Sequence, residues 1–252
     1  MLPDAKRTMI YSRLSKRLRV LGLRDFADYR KLIDHPGSTE FAEFINSLTT
    51  NLTFFFREQH HFEHLAQTAL PERMAARRAR GDNRLRVWSS ASSTGEEPYS
   101  IAMTVRDHVP AAASWDFRLL ATDLDTQVLA RARAGIYSDE SIENIAAERR
   151  RRWFMRGTGS RAGQVRIKPT LQEPIAFREF NLVKPWSMPE PFDVIFCRNV
   201  VIYFDKPTRR ELFARIADAL APGGYLYLGH SETLFEISDR FELAGKTTYR
   251  KP

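Results

Sequence analysis

Glu96 and Glu97 follow a run of small residues, Ser89 to Gly95, and precede Pro98. Two carboxylates at a helix start are the reverse of a phosphate cradle, which wants bare backbone N–H groups there. They suit a cationic or hydroxyl-rich ligand, and S-adenosylmethionine, with its sulfonium, α-amino group and ribose, is both. A third acid, Asp123, comes directly after the apolar stretch Trp115 to Thr122, where a nucleotide-binding α/β unit places the acceptor for both ribose hydroxyls. Asp125 reads as the cap of the next helix, and a plainer alternative makes both acids caps. Upstream, Asn51, Thr53 and Arg57 are spread through Thr49 to Glu58, around three consecutive Phe, 54 to 56. Three adjacent rings cannot share one helical face, so this segment reads as a plug enclosed on several sides. Its polar groups then need partners, because an unpaired buried group costs roughly 1–3 kcal/mol. A ligand is one source of them; a capped helix start with Arg57 in an internal salt bridge is another.

These residues need a frame. Leu85 to Trp88 reads as a buried strand, Ser89 to Gly95 as a tight loop, and Glu96 onward as a helix with Pro98 tolerated in its first turn. Strand, loop and helix start together form the crevice in which open α/β sheets bind nucleotides. Trp115 to Thr122 supplies a second strand, Ala176 to Asn181 another, and the unbroken apolar run Phe192 to Cys197 a central parallel one. That last strand runs out through Asn199, Val200 and Tyr203 at the carboxyl edge. Helix Thr208 to Leu220, a turn at Ala221 to Gly224 and strands near Tyr225 to Gly229 and Thr247 to Arg250 complete the sheet. Residues 137–177 break the alternation. Gly157, Gly159 and Gly163 mark turns, and Gln164 to Lys168 alternates like a half-exposed strand. A small antiparallel insertion is expected, either decorative or with an edge able to take a peptide strand.

The first 47 residues read as helical. Ile10, Leu14, Leu18 and Leu21 form an apolar stripe, and Arg13, Lys16, Arg17 and Arg19 crowd the other faces. With no acid between Lys6 and Arg24, this is either solvated surface or a docking face for an acidic partner. Asp25 should cap a second helix, and Phe41 to Leu48 forms a third. Helix 60–80 ends in the basic run Arg73 to Arg80, read as exposed linker.

Totals narrow the classes. The 252 residues carry a net charge of +8, which favours an acidic partner, and 43% hydrophobic residues, which fit a globular chain. No apolar run approaches the roughly 20 residues of a membrane span, and the first residues do not form a signal peptide. A single cysteine, Cys197, excludes a disulfide framework and fits the cytoplasm. With six scattered His, no metal site is expected.

Seven motifs, in order, resemble the CheR family of S-adenosylmethionine-dependent chemoreceptor methyltransferases: SRLSKRLRVLGL (12–23), INSLTTNLTFFFRE (45–58), WSSASSTGEEPYSIAM (88–103), ATDLDTQVLARARAGIY (121–137), FMRGTG (154–159), FDVIFCRNVVIYFDK (192–206) and LGHSE (228–232). The resemblance implies a Rossmann-like methyltransferase domain over 85–252 with a β-subdomain inserted at about 153–170. It also implies a helical receptor-docking domain over 1–48 and a cofactor-covering linker over 49–84. The activity implied is glutamate O-methylation on receptor helices, with S-adenosylhomocysteine as product and a monomer as the working form. By motif, Asn51, Thr53, Arg57, Glu96, Asp123, Asn181, Leu182, Asn199 and Val200 match cofactor-contacting positions. Arg13, Lys16, Arg17 and Arg19 match the docking helix. Gly157, Gly159 and Gly163 match the pattern of members that tether to a receptor C-terminal pentapeptide. The family also usually carries one more helix ahead of the counterpart of Leu2-Pro3-Asp4. Arg57 and Tyr203 are the expected catalytic pair, Arg57 orienting a carboxylate and Tyr203 near the transferred methyl. A nucleic-acid methyltransferase is disfavoured, because Asn199-Val200-Val201-Ile202-Tyr203 lacks the Pro-Pro of amine-methylating enzymes. A cofactor-retaining module without catalysis is the second competing class.

Overall fold

Every residue of Phe192–Cys197 is buried, as a strand covered on both faces must be. The computed structural model describes residues 4–49, 51–109 and 115–252. Residues 1–3, Thr50 and residues 110–114 lie outside them. Three helices come first: α1 (Asp4–Leu21), α2 (Phe26–Asp34) and α3 (Glu40–Leu48). Leu14, Leu18 and Tyr29 are their buried centre, with Ile10 and Leu21 packed against it. The stripe on α1 has its partner, and Asp25 caps α2 through the Asp28 N–H.

From Asn51 to Gln59 the chain is not helical, which removes the helix-start alternative for this segment. Phe55 is fully buried while Phe54 is half exposed, so the plug is enclosed on one side and open on the other. Then α4 (His60–His64) passes through a π-turn, Leu65–Ala69, into α5 (Leu70–Arg78).

The α/β layer begins with β1 (Arg84–Ser89), α6 (Glu96–His108), β2 (Asp116–Asp123) and α7 (Thr126–Ala134). Next come β3 (Ile136–Ser138), α8 (Ala147–Trp153), β4 (Phe154–Arg156), β5 (Gln164–Ile167) and α9 (Pro169–Gln172). The chain closes with β6 (Ile175–Glu179), β7 (Phe192–Cys197), α10 (Lys206–Ala219), β8 (Leu220–Leu228), β9 (Glu242–Gly245) and β10 (Thr248–Arg250).

The main sheet has the order β6-β2-β1-β7-β8-β10-β9. Its first five strands are parallel and its last two antiparallel. The order reverses direction between β1 and β7, and that switch point is where open sheets bind ligands. Successive strand residues feed two cores: Val87, Val194 and Tyr227 pack with Phe62 and Ile101, and Trp88, Ile195 and Leu226 with Leu212 and Ile216. Gly95, at φ 102, precedes α6 in a left-handed turn, where a Cβ would lie 2.7 Å from the Tyr137 hydroxyl.

The second sheet, β3-β5-β4, is antiparallel and starts earlier than the expected insertion, because β3 follows directly on α7. The basic run after Arg73 also departs from expectation. Arg73 and Arg77 both bind Asp193, which is wholly buried, at 3.0 Å, and Asp193 also accepts the Arg86 N–H. Half of that run is therefore a structural clamp between α5 and the foot of β7. The turn expected at Ala221 to Gly224 survives as an excursion within β8, between the pairs Phe192–Leu220 and Val194–Tyr225.

Candidate active site

A cleft of about 360 Å³ opens at the carboxyl ends of β1, β2, β6 and β7, roofed by Thr49 and by the chain from Asn51 to Arg57. It collects most of the residues singled out from the sequence. Asn51, Thr53 and Arg57 line it from the roof, Asp123 from β2, Asn181 and Leu182 from beyond β6, and Asn199, Val200 and Tyr203 from beyond β7. Glu96 is not among them. Its carboxylate accepts the Thr94 hydroxyl at 2.6 Å and faces a separate groove with Asp125 and Arg131. Glu97 lines the cleft instead. Adjacent helical residues point about a quarter-turn apart, so expecting Glu96 in the cleft misses by a single residue.

Asp123 accepts the Ser93 N–H at 2.8 Å and the Asp125 N–H at 3.0 Å. These bonds aim the carboxylate, while burial pushes its pKa above the ordinary value against their pull. Asp125 caps α7 at Gln127 and Val128. It also accepts the Thr49 hydroxyl at 2.7 Å and the Asn51 amide at 2.9 Å, stitching the roof to the sheet. Arg57 donates to the Leu52 carbonyl at 2.8 Å and lies over the Phe54 ring. Tyr203 stands half exposed at the rim.

Beyond β7, Asn199 has φ 56. Its N–H and those of Val201 and Gly229 converge on the buried Glu232 carboxylate at 2.8, 3.0 and 2.6 Å. A side chain at Gly229 would collide with the Asn199 amide. Among the described residues, six non-glycine residues have positive φ; Ser93 and Asn199 of these line the cleft, and Phe56 and Glu58 flank Arg57, which lines it too. Backbone strain concentrated there is the mark of a site the surrounding fold over-determines. Sequence reasoning missed Glu232 and Arg198. The Glu of LGHSE was the one available signal for the first; a lone Arg after a buried strand was no signal for the second.

The cation cluster on α1 divides. Arg13 donates to the carbonyls of Leu48 and Thr49 at 3.1 and 2.6 Å, closing the end of α3. Arg17 forks onto Glu40 at 2.7 and 2.6 Å, and Glu40 also takes the Tyr29 hydroxyl at 2.9 Å. Both therefore hold the three helices together, which corrects their expected place on an outward docking face. Lys16 and Arg19 are exposed. In the small sheet, Gly159 and Gly163 take φ 58 and 80 on open surface between β4 and β5. A side chain at Gly157 would strike the Arg161 carbonyl.

Residues 51–250 match the SAM binding domain of CheR methyltransferase, and residues 1–49 its all-alpha domain. The chain is 48% identical over 250 residues to the chemotaxis protein methyltransferase of Escherichia coli, spanning 98% of this chain and 84% of that one. It is 45% identical over 251 residues to a probable chemotaxis protein methyltransferase of Rhizobium etli, spanning 99% and 93%. The corresponding enzyme of Borreliella burgdorferi is 33% identical over 253 residues, spanning 99% and 88%. Among the described residues no helix is long and apolar enough to cross a membrane. With a cleft at the switch point of the sheet, a SAM binding domain over residues 51–250 and an all-alpha domain before it, the chain belongs to the CheR methyltransferase family and is a class I methyltransferase.

Proposed function

We propose that this chain is a protein-glutamate O-methyltransferase, forming γ-methyl esters on the cytoplasmic helices of chemoreceptors. The observation that carries this reading is the composition of the cleft: the partly buried acids Asp123 and Glu97 on the donor side and the Arg57 cation in its roof, for an anionic acceptor.

S-adenosylmethionine supplies an electrophilic methyl group on a sulfonium. Asp123 would accept the ribose hydroxyls and Glu97 would face the cationic methionyl end, with Asn51, Thr53, Asn181, Leu182, Asn199 and Val200 lining the remainder of the cleft. A glutamate side chain, with a reference pKa of about 4.3, is ionised at neutral pH and needs no general base. Alignment is what the protein must provide, with the attacking oxygen about 3–3.5 Å from the methyl carbon and water excluded. Arg57 orients the acceptor carboxylate, and the Tyr203 hydroxyl borders the transfer path. Stronger stabilisation of the separated ions would slow transfer, because both charges disperse in the transition state.

The same reading makes the exposed Lys16 and Arg19 the surviving members of a docking face for an acidic receptor surface. It makes the loop of Gly157, Gly159 and Gly163 a peptide-binding edge for a receptor C-terminal pentapeptide, in a chain that works as a monomer in the cytoplasm. Residues 1–48, 49–84 and 85–252 then serve as docking domain, cofactor cover and catalytic domain.

Methyl label transferred to receptor-containing membranes and released by alkali as methanol is the expected result. Alkali-stable label in nucleic acid, or no transfer, overturns the reading. For the tether, a receptor C-terminal peptide column should retain the wild type and lose Gly159→Trp; equal retention returns the loop to decoration.

A further inference from the structure

Arg198 directly follows β7, and its side chain is only 2% exposed. Nη1 donates to Glu97 Oε2 at 3.0 Å. Nη2 lies 3.4 Å from Glu58 Oε2 and also donates to the Arg57 carbonyl. The guanidinium covers the Phe62 ring. Glu97 is further held by the Ser89 hydroxyl at 2.8 Å, and Glu58 by His230 Nδ1 at 3.3 Å. One buried cation thus joins two nearly buried carboxylates from different elements, and the Arg57 backbone between them. Phe56 and Glu58, on either side of Arg57, both have φ 58, so this part of the roof keeps its shape only while something holds it. Glu58, His60 and His61 bring metal-ligating atoms within 4.8 Å of one another. The guanidinium already supplies the positive charge there. Burial, helped by Arg198, pushes the His61 pKa down to about 3, so that ring stays neutral.

We infer that Arg198 is a positioning residue for methyl transfer: it locks the backbone that carries Arg57 against the Glu97 carboxylate, holding the acceptor-side cation and the donor-side acid in one geometry. This rests on the roles proposed above for Arg57 and Glu97. Charge adds a second consequence. Burial raises the Glu97 pKa and Arg198 opposes that rise, with Ser89 and Glu58 as its other neighbours. Burial alone would raise Glu58 too, but Arg198 and His230 bring it below the ordinary value. Without the guanidinium, two carboxylates face each other and both protonate more readily.

The test compares wild type, Arg198→Met and Arg198→Lys in the full chain, with folding followed by circular dichroism. The readouts are calorimetric S-adenosylmethionine affinity against pH, and kcat and KM for the acceptor. Arg198→Met should lower kcat by about a hundredfold through misalignment, and should raise the pH at which donor affinity falls by about one unit. Arg198→Lys should restore the pH limb but not turnover, because one ammonium nitrogen cannot span the oxygens that Nη1 and Nη2 reach separately. An unshifted limb with kcat unchanged, or reduced only as the folded fraction falls, overturns the inference. Failure of the esterification reading is separate: it would leave donor binding and its pH limb intact while no base-labile product formed. If Arg198→Met does not fold, Glu58→Gln and Glu97→Gln singly and together take its place. Non-additive losses are expected for acids sharing a cation, and additivity overturns the inference.

Discussion

Two stretches of this chain are crowded with candidate side chains, the basic face of α1 and the roof segment 51–58, and they use them in opposite ways. On α1, the half-buried Arg17 and Arg13 reach across to α3 and are consumed by Glu40 and by helix-end carbonyls. In the roof, the backbone is held by Ser93, Ser100, Asn144 and Arg198 and Asp125 takes the Asn51 amide, while Arg57, Asn51 and Thr53 line the cleft. A cluster of like charge shows only that carboxylates or carbonyls must be near. Polar side chains on a strained, externally braced backbone point to a functional site.

The contrast can be broken in steps. The largest effect is expected in the roof and floor of the cleft: Arg57→Ala should lower turnover by about 10²-fold or more, against a change of a few fold for Arg19→Ala, measured by label transfer under saturating donor. Comparable losses from the two would erase the distinction between the regions.

Arg17→Ala should act on stability instead, by about 2 kcal/mol, since it strips the partner from the nearly buried Glu40. Urea unfolding followed at the helical domain reads this. The hydrogen bond from Arg17, helped by Tyr29, lowers the Glu40 pKa against the burial that would raise it. The contribution is therefore complete above the unfolded value of about 4.3 and is lost as pH falls through the lower folded value. The gap between wild type and variant should close in that acid window; a gap unchanged there would deny Glu40 its role.

Within α6, Glu97→Gln should weaken donor binding about tenfold, roughly one charge-assisted hydrogen bond, while Glu96→Gln stays within about twofold. The reverse ranking, by calorimetry, would restore the residue expected from the sequence. The smallest effect belongs to the exposed cations. Lys16→Glu with Arg19→Glu should raise the acceptor KM a few fold, and the difference should vanish at about 1 M salt, where screening acts over roughly 3 Å.

What could be read in advance follows the range of the forces involved. The apolar period of α1, the unbroken run of β7 and the acid at the tip of β2 are local, so strands, layers and the position of Asp123 at a strand tip were legible. Strands β3 and β9, three and four residues long, are too short for a period to emerge. Glu40 lies 23 residues from Arg17 and Glu97 lies 101 from Arg198, and nothing in either neighbourhood announces such a pairing. Glu96 and Glu97 differ only in which way a helix start turns, which tertiary packing decides.

The most direct test of the cleft itself is equilibrium dialysis with labelled S-adenosylmethionine. The wild type should take up one donor per chain, saturably and displaceable by S-adenosylhomocysteine, and Asp123→Ala should lose most of that uptake while remaining folded. Uptake that never saturates, or that Asp123→Ala leaves untouched, would contradict the placement of the donor at the tips of these strands.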